Sequence, residues 1–141
     1  MHFEAAATID APPETVWSIL TDTAHWPEWD PYCERVEGQV ALGKKVKVFT
    51  KLSPGRAFPV KVAELDAPRA MTWQGGMPFG LFKGVRTYRL APAGSGTRFT
   101  MREEFSGPML KMIGKTIPDM TEAFQAFVDG LKQRAEARDA A

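Results

Sequence analysis

Apolar residues fall at two-residue steps near the start of the chain, through most of its middle, and at three- and four-residue steps near its end. Phe3, Ala5, Ala7 and Ile9 share one phase and predict a first strand over residues 3–9. Asp10-Ala11-Pro12-Pro13-Glu14 reads as a helix start, with Asp10 as the capping residue, prolines where a helix lacks N–H partners, and an acid in the first turn. Val16, Trp17, Ile19 and Leu20 give that helix an apolar side. His25-Trp26-Pro27-Glu28-Trp29-Asp30-Pro31 predicts a second short helix or turn bounded by prolines.

Residues 32–107 read as about six strands separated by turns. The turns are Gly43, Ser53-Pro54-Gly55-Arg56, Asp66-Ala67-Pro68-Arg69, Gly75-Gly76 and Ala93-Gly94-Ser95-Gly96. Between them, Val46, Val48 and Leu52 share a phase, as do Phe58, Val60 and Val62, then Met71 and Trp73. Phe82, Tyr88 and Leu90 share another, and Phe99, Met101 and Phe105 the last. Lys45, Lys47, Lys51, Lys61, Arg89, Arg98, Arg102 and Glu104 take the opposite phase, so one face is buried and one is wet, as in an antiparallel meander. Pro118 divides the last third. A short helical piece covers about Met109–Lys115, and a main helix is expected to start near Ile117 with Pro118 in its first turn. Met120, Phe124, Phe127, Val128 and Leu131 line one side of it. From Lys132-Gln133-Arg134 onward the chain turns polar and is expected to fray.

These elements predict an α+β fold: a curved antiparallel sheet of about seven strands, two short helices after the first strand, and a long C-terminal helix covering the apolar face. A strongly curved sheet over one helix leaves a gap near the helix ends, the candidate cavity. The 141 residues fit a single domain spanning 1–141.

Composition narrows the functions. Hydrophobic residues make up 44% and charged residues 25%, an ordinary globular balance. The net charge of +1, with no basic stripe, argues against nucleic acid as the main partner. One cysteine and two histidines support neither a disulfide framework nor a metal site. No phosphate loop, dinucleotide fingerprint or zinc motif occurs, so no cofactor is expected. No window approaches the ~20 apolar residues of a membrane span, and the N-terminus lacks the features of a signal peptide. A cytoplasmic location is the resulting expectation, and the oligomeric state stays open.

Ile9-Asp10-Ala11-Pro12-Pro13-Glu14-Thr15-Val16-Trp17, Leu20-Thr21-Asp22, Trp26-Pro27-Glu28-Trp29 and Gly96-Thr97-Arg98-Phe99-Thr100 carry a resemblance over nearly the whole chain. The chain resembles the START-like (SRPBCC) superfamily of helix-grip proteins, and within it the polyketide cyclase/dehydrase-like branch. The resemblance implies a cavity for a small hydrophobic or amphipathic ligand. It transfers no catalytic residue.

Arg86 and Glu103 are the leading candidate pair. If the hairpin pairs Leu90 with Phe99, paired numbers sum to 189, and Arg86 then faces Glu103 on the cavity side. Arg86 would fix a ligand carboxylate or enolate, and Glu103 would orient it or act as a base; the alternative is a structural ion pair. Tyr88 and Trp73 offer hydrogen-bond donors or, in the alternative, core packing. Phe58, Phe82, Phe99, Met101, Met120 and Phe124 complete the expected ligand-binding set. Gly75-Gly76-Met77-Pro78-Phe79-Gly80 is an apolar loop tip suited to gating a mouth or touching a partner, or to packing on the C-terminal helix. His25 with Asp22 and Ser18 makes no triad, and Cys33 reads as a small buried hydrophobe. Three functions follow: a carrier of a small apolar molecule such as a lipid, polyketide or quinone-like compound, a cyclase or dehydratase using Glu103, Arg86 and Tyr88, or a protein-interaction module of the chaperone-ATPase-activator type.

Overall fold

The alternating segments of the middle third form six strands, and together with the first strand they make one sheet. A computed structural model describes residues 1–141. The strands are β1 (His2–Ile9), β2 (Cys33–Glu37), β3 (Lys45–Thr50), β4 (Ala57–Asp66), β5 (Ala70–Gly76), β6 (Lys83–Ala93) and β7 (Gly96–Ser106). Helix α1 (Pro13–Thr21) and a 3₁₀ turn (Thr23–Glu28) follow β1, and α2 (Leu110–Ile113) and α3 (Thr121–Ala140) follow β7. The order across the sheet is β1-β7-β6-β5-β4-β3-β2, antiparallel throughout. Every neighbour pair is a hairpin except β1 with β7, which joins the first strand to the last. Register shifts between Val62 and Glu64 in β4, and between Cys33 and Arg35 in β2, mark bulges that bend and twist the sheet.

The β6–β7 hairpin has the register that its glycine turn dictates. Leu90 lies opposite Phe99, Tyr88 opposite Met101, and Arg86 opposite Glu103. Lys45, Lys47, Lys61, Arg89 and Arg98 stay exposed on the convex face. The concave face carries the core, where Val46, Val62, Met71, Trp73, Leu90 and Met101 are buried.

Helix α3 packs chiefly on β1 and α1, at one side of the sheet. A β-carbon on Gly130 would overlap the Trp29 carbonyl oxygen, so only glycine permits this approach. Phe127 fills the junction, with its ring 4.9 Å from Trp29 and 5.0 Å from Trp26, both edge-on. Trp26 in turn stacks on Trp73 at 5.4 Å.

Three helix boundaries differ from the sequence expectation. Helix α3 starts at Thr121 rather than near Ile117. Ile117 is extended (φ −77°, ψ 122°) because the ring of the following Pro118 disfavours helical backbone before it. Asp119 then ends the extended stretch, its carboxylate accepting from the Thr121 amide at 3.0 Å and hydroxyl at 2.7 Å. The polar C-terminal end does not fray: α3 runs to Ala140. Lys132 donates to the Thr8 carbonyl at 2.6 Å, Arg134 to Glu28 at 2.7 Å, and Glu136 accepts the Asp10 amide at 2.8 Å. These partners lie more than 100 residues away, beyond any local pattern. Asp10 is therefore not the cap of α1. Pro12 holds that position, its carbonyl accepting from Thr15 and Val16.

Candidate functional site

Because α3 covers one side of the sheet, the concave face of β3–β6 is left partly uncovered toward the N-terminal end of the helix. The space there is a cavity of about 620 Å³. Phe58, Val60 and Trp73 wall it from β4 and β5, and Met101 and Phe105 from β7. Met120, Ala123 and Phe124 close it from the helix side, with Phe82 from the β5–β6 connection and Ile113 and Ile117 from the segment before α3.

Arg86 and Glu103 both face this space. The Arg86 Nε donates to a Glu103 carboxylate oxygen at 2.5 Å, and the guanidinium lies over the Phe124 ring, 4.8 Å from its centre. Burial alone would lower the Arg86 pKa. The Glu103 carboxylate and the neighbouring Tyr88 together outweigh that and raise it, so the arginine stays charged. One pair therefore ties β6 to β7, and the aromatic contact ties β6 to α3.

Asp30 is a wall residue that the sequence reading missed. It is 8% exposed, lies at the cavity, and accepts the Tyr32 amide at 3.1 Å. Burial pushes its pKa up to about 6, against the Tyr32 hydrogen bond and the Arg86 charge that pull it down. The Arg86 charge favours the ionised form of Asp30, but burial outweighs it and holds the carboxyl well above the usual carboxylate range. The only sequence signal was its place between Trp29 and Pro31, which reads equally well as a surface turn. Cys33 also lines the wall. Burial first, then the Asp30 and Glu34 charges, push its thiol up to about 12, so it is an unreactive protonated thiol.

Two expected ligand-binding residues sit elsewhere. Tyr88 and Phe99 are fully buried and lie outside the cavity wall. They pack at the closed end, where Tyr88 lies edge-on to Trp73 at 5.2 Å and Phe99 stacks on Phe127 at 6.5 Å. Their strand phase is right, but α3 descends onto that end of the hairpin. The Tyr88 hydroxyl lies beside Arg86 without reaching hydrogen-bonding geometry, and burial pushes it up to about 12. The Trp73 Nε1 is likewise buried without a partner, and Trp73 does form part of the wall. The other expected residues, Arg86, Glu103, Trp73, Phe58, Phe82, Met101, Met120 and Phe124, meet at one cavity.

His25 stands apart, exposed on the surface, with Nδ1 2.8 Å from Asp22; that hydrogen bond and charge raise its pKa. No group of three His, Cys, Asp or Glu side chains lies close enough to hold a metal ion. No helix is long and apolar enough to cross a membrane.

Known proteins share this arrangement. The sequence matches the family described as polyketide cyclase / dehydrase and lipid transport over residues 1–136. No curated protein matches it. Among solved structures, the Zhui aromatase/cyclase of a Streptomyces species superposes with a TM-score of 0.73 at 17% identity, covering 98% of this chain and 94% of that one. A START superfamily protein from Mycobacterium smegmatis gives 0.69 at 16%, covering 97% and 98%. Truncated norcoclaurine synthase from Thalictrum flavum gives 0.67 at 17%, covering 95% and 92%. At these identities the structures establish the helix-grip fold, and the match along nearly the whole sequence establishes that the chain belongs to the polyketide cyclase / dehydrase and lipid transport family.

Proposed function

We propose that the protein binds one small apolar or amphipathic molecule, of lipid, polyketide or quinone-like type, in the cavity between the sheet and α3. The observation that carries this reading is the make-up of the cavity. Its roughly 620 Å³ are walled mainly by aromatic, methionine and branched side chains, with Arg86, Glu103 and Asp30 as the buried or half-buried charged groups and the exposed Arg56 beside Phe58 as a fourth. Small-molecule sites of roughly 300–1,000 Å³ have this make-up. The apolar body of a ligand would lie against Phe58, Val60, Met120 and Phe124. Its polar head would meet Arg86, Glu103 and Asp30. Glu103 already compensates Arg86, which favours a hydroxyl or carbonyl head over a second carboxylate.

A second reading, an enzyme of the cyclase or dehydratase type, is favoured by Asp30. A carboxyl group that titrates near pH 6 can take up and release a proton at neutral pH. In this reading Asp30 replaces Tyr88 in the expected trio, since the Tyr88 hydroxyl is not on the wall. The interaction-module reading draws support from a filled core, and the cavity counts against it.

Native mass spectrometry of the purified protein, followed by organic extraction, tests the first reading. A co-purified lipid, polyketide or quinone supports it. An empty protein that also takes up none of a panel of apolar fluorophores contradicts it and favours the interaction module. If a ligand is found, conversion of that compound by the wild type but not by Asp30→Asn supports the enzymatic reading.

A further inference from the structure

The connection between β5 and β6 holds an aromatic ring out in solvent. The Leu81 amide donates to the Pro78 carbonyl at 3.3 Å, and Phe79 and Gly80 between them both have positive φ, +60° and +67°. Turns with this backbone favour Gly, Asn or Asp, because a bulky side chain is disfavoured at positive φ. Phe79 takes that conformation and is nevertheless 100% exposed. Nothing within the chain offsets the strain, since the ring packs on nothing.

Phe79 is part of a larger apolar rim. Met112 on α2 is 70% exposed, and Met77 and Leu81 are exposed as well. The two segments adjoin. The Met109 amide donates to the Leu81 carbonyl at 2.9 Å, and a β-carbon on Gly107 would crowd the Gly80 and Leu81 carbonyls. Met77 and Ile113, from the same two segments, line the cavity, so the rim adjoins it.

The charges on these segments are of one sign. Residues 77–83 and 107–118 contain Lys83, Lys111 and Lys115 and no carboxylate. All three lysines are exposed and form no ion pair. The flanking acids along the chain are Glu103 and Glu104, paired with Arg86 and Arg102, and then Asp119, already engaged by Thr121, and Glu122.

We propose that this rim docks on the surface of an anionic lipid bilayer. Phe79 and Met112 enter the boundary between head groups and acyl chains, and the three lysines sit at the level of the phosphates. The cavity mouth then opens onto the membrane, from which an apolar ligand can pass without crossing water. A face-to-face second copy fits the rim less well, because it would bring two sets of three lysines together. The docking proposal stands on the rim alone. Ligand binding in the cavity behind it supplies a use.

Flotation of the purified protein with vesicles tests it. Binding is expected to vesicles of mixed phosphatidylcholine and phosphatidylglycerol, weakly to phosphatidylcholine alone, and to fall with added salt. Phe79→Asn, whose side chain tolerates positive φ, should cut partitioning about tenfold. Lys111→Glu with Lys115→Glu should cut it by at least about fivefold per lysine, since each change also adds a repelled carboxylate. Apolar-fluorophore uptake by the cavity should be unchanged in both variants, which separates docking from ligand binding. No binding of the wild type to mixed vesicles at low salt would overturn the proposal. So would binding that neither variant weakens, or a dimer in sedimentation that Phe79→Asn dissolves.

Discussion

The two ends of the gap between the sheet and α3 are built from similar side chains and come out differently. At the closed end, Tyr88, Phe99, Val128 and Leu131 are each under 3% exposed and lie off the cavity wall, with Trp26 and Phe127 at the boundary between the two ends. At the open end, Phe58, Val60, Phe82, Met120 and Phe124 surround about 620 Å³. Hydrophobicity does not separate the two. Backbone placement does. Gly130 lets α3 settle against Trp29, and the extended Ile117 before Pro118 keeps the start of the helix standing off. The cavity therefore follows from where one helix is anchored.

The sharpest way to break this contrast is to remove the anchor. Gly130→Ala sets a β-carbon against the Trp29 carbonyl oxygen, so α3 must lift from the closed end. We expect a loss of about 3 kcal/mol or more, read by thermal unfolding, or failure to fold. Wild-type stability would disprove the anchoring role.

The charged pair at the open end comes next. Arg86→Met alone leaves Glu103 without its partner in a poorly solvated site, at an expected cost of about 2–3 kcal/mol. Arg86→Met with Glu103→Leu should cost less than the single change, because both charges leave together. A double variant as damaged as the sum of its parts would mean that the pair is not coupled.

Asp30 gives a pH test. Folding raises its pKa from 3.8 to about 6, so the folded protein binds more protons than the unfolded chain between those values. Stability from this residue therefore falls as pH rises through that window, and the cost is complete above it. Asp30→Asn, which can still accept the Tyr32 amide, should raise stability at pH 8 by on the order of 2 kcal/mol and leave it nearly unchanged at about pH 3, below both values. An equal effect at both pH values would argue against a buried, titrating carboxyl. The smallest effect is expected at the rim, where Phe79→Gly should raise stability by under about 1 kcal/mol by relieving the positive φ.

How far the sequence reaches differs between the same two regions. Strand phase and the Ala93-Gly94-Ser95-Gly96 turn suffice to place Arg86 opposite Glu103, because an antiparallel hairpin with a known turn has one register. Strand phase cannot say which inward residues meet α3 and which meet space, so Tyr88 and Phe99 were expected at a cavity that they do not line. That division depends on Gly130 and Trp29, 101 residues apart, whose contact leaves no periodic trace. Asp30 was missed for a related reason. It is buried at the cavity wall, whereas its neighbours in sequence read as an exposed turn. The end of α3 looked free because its partners at Thr8, Asp10 and Glu28 belong to the opposite end of the chain.

The most direct test of the account fills the open end and leaves the closed end alone. Val60 lies on the cavity wall and is only partly buried, so Val60→Trp can place its indole in the empty space. Titration of an apolar fluorophore into wild type and Val60→Trp reads the result. The account predicts a folded variant whose affinity falls at least about tenfold. A folded Val60→Trp protein that binds the fluorophore as well as wild type would show that the cavity is not the ligand site.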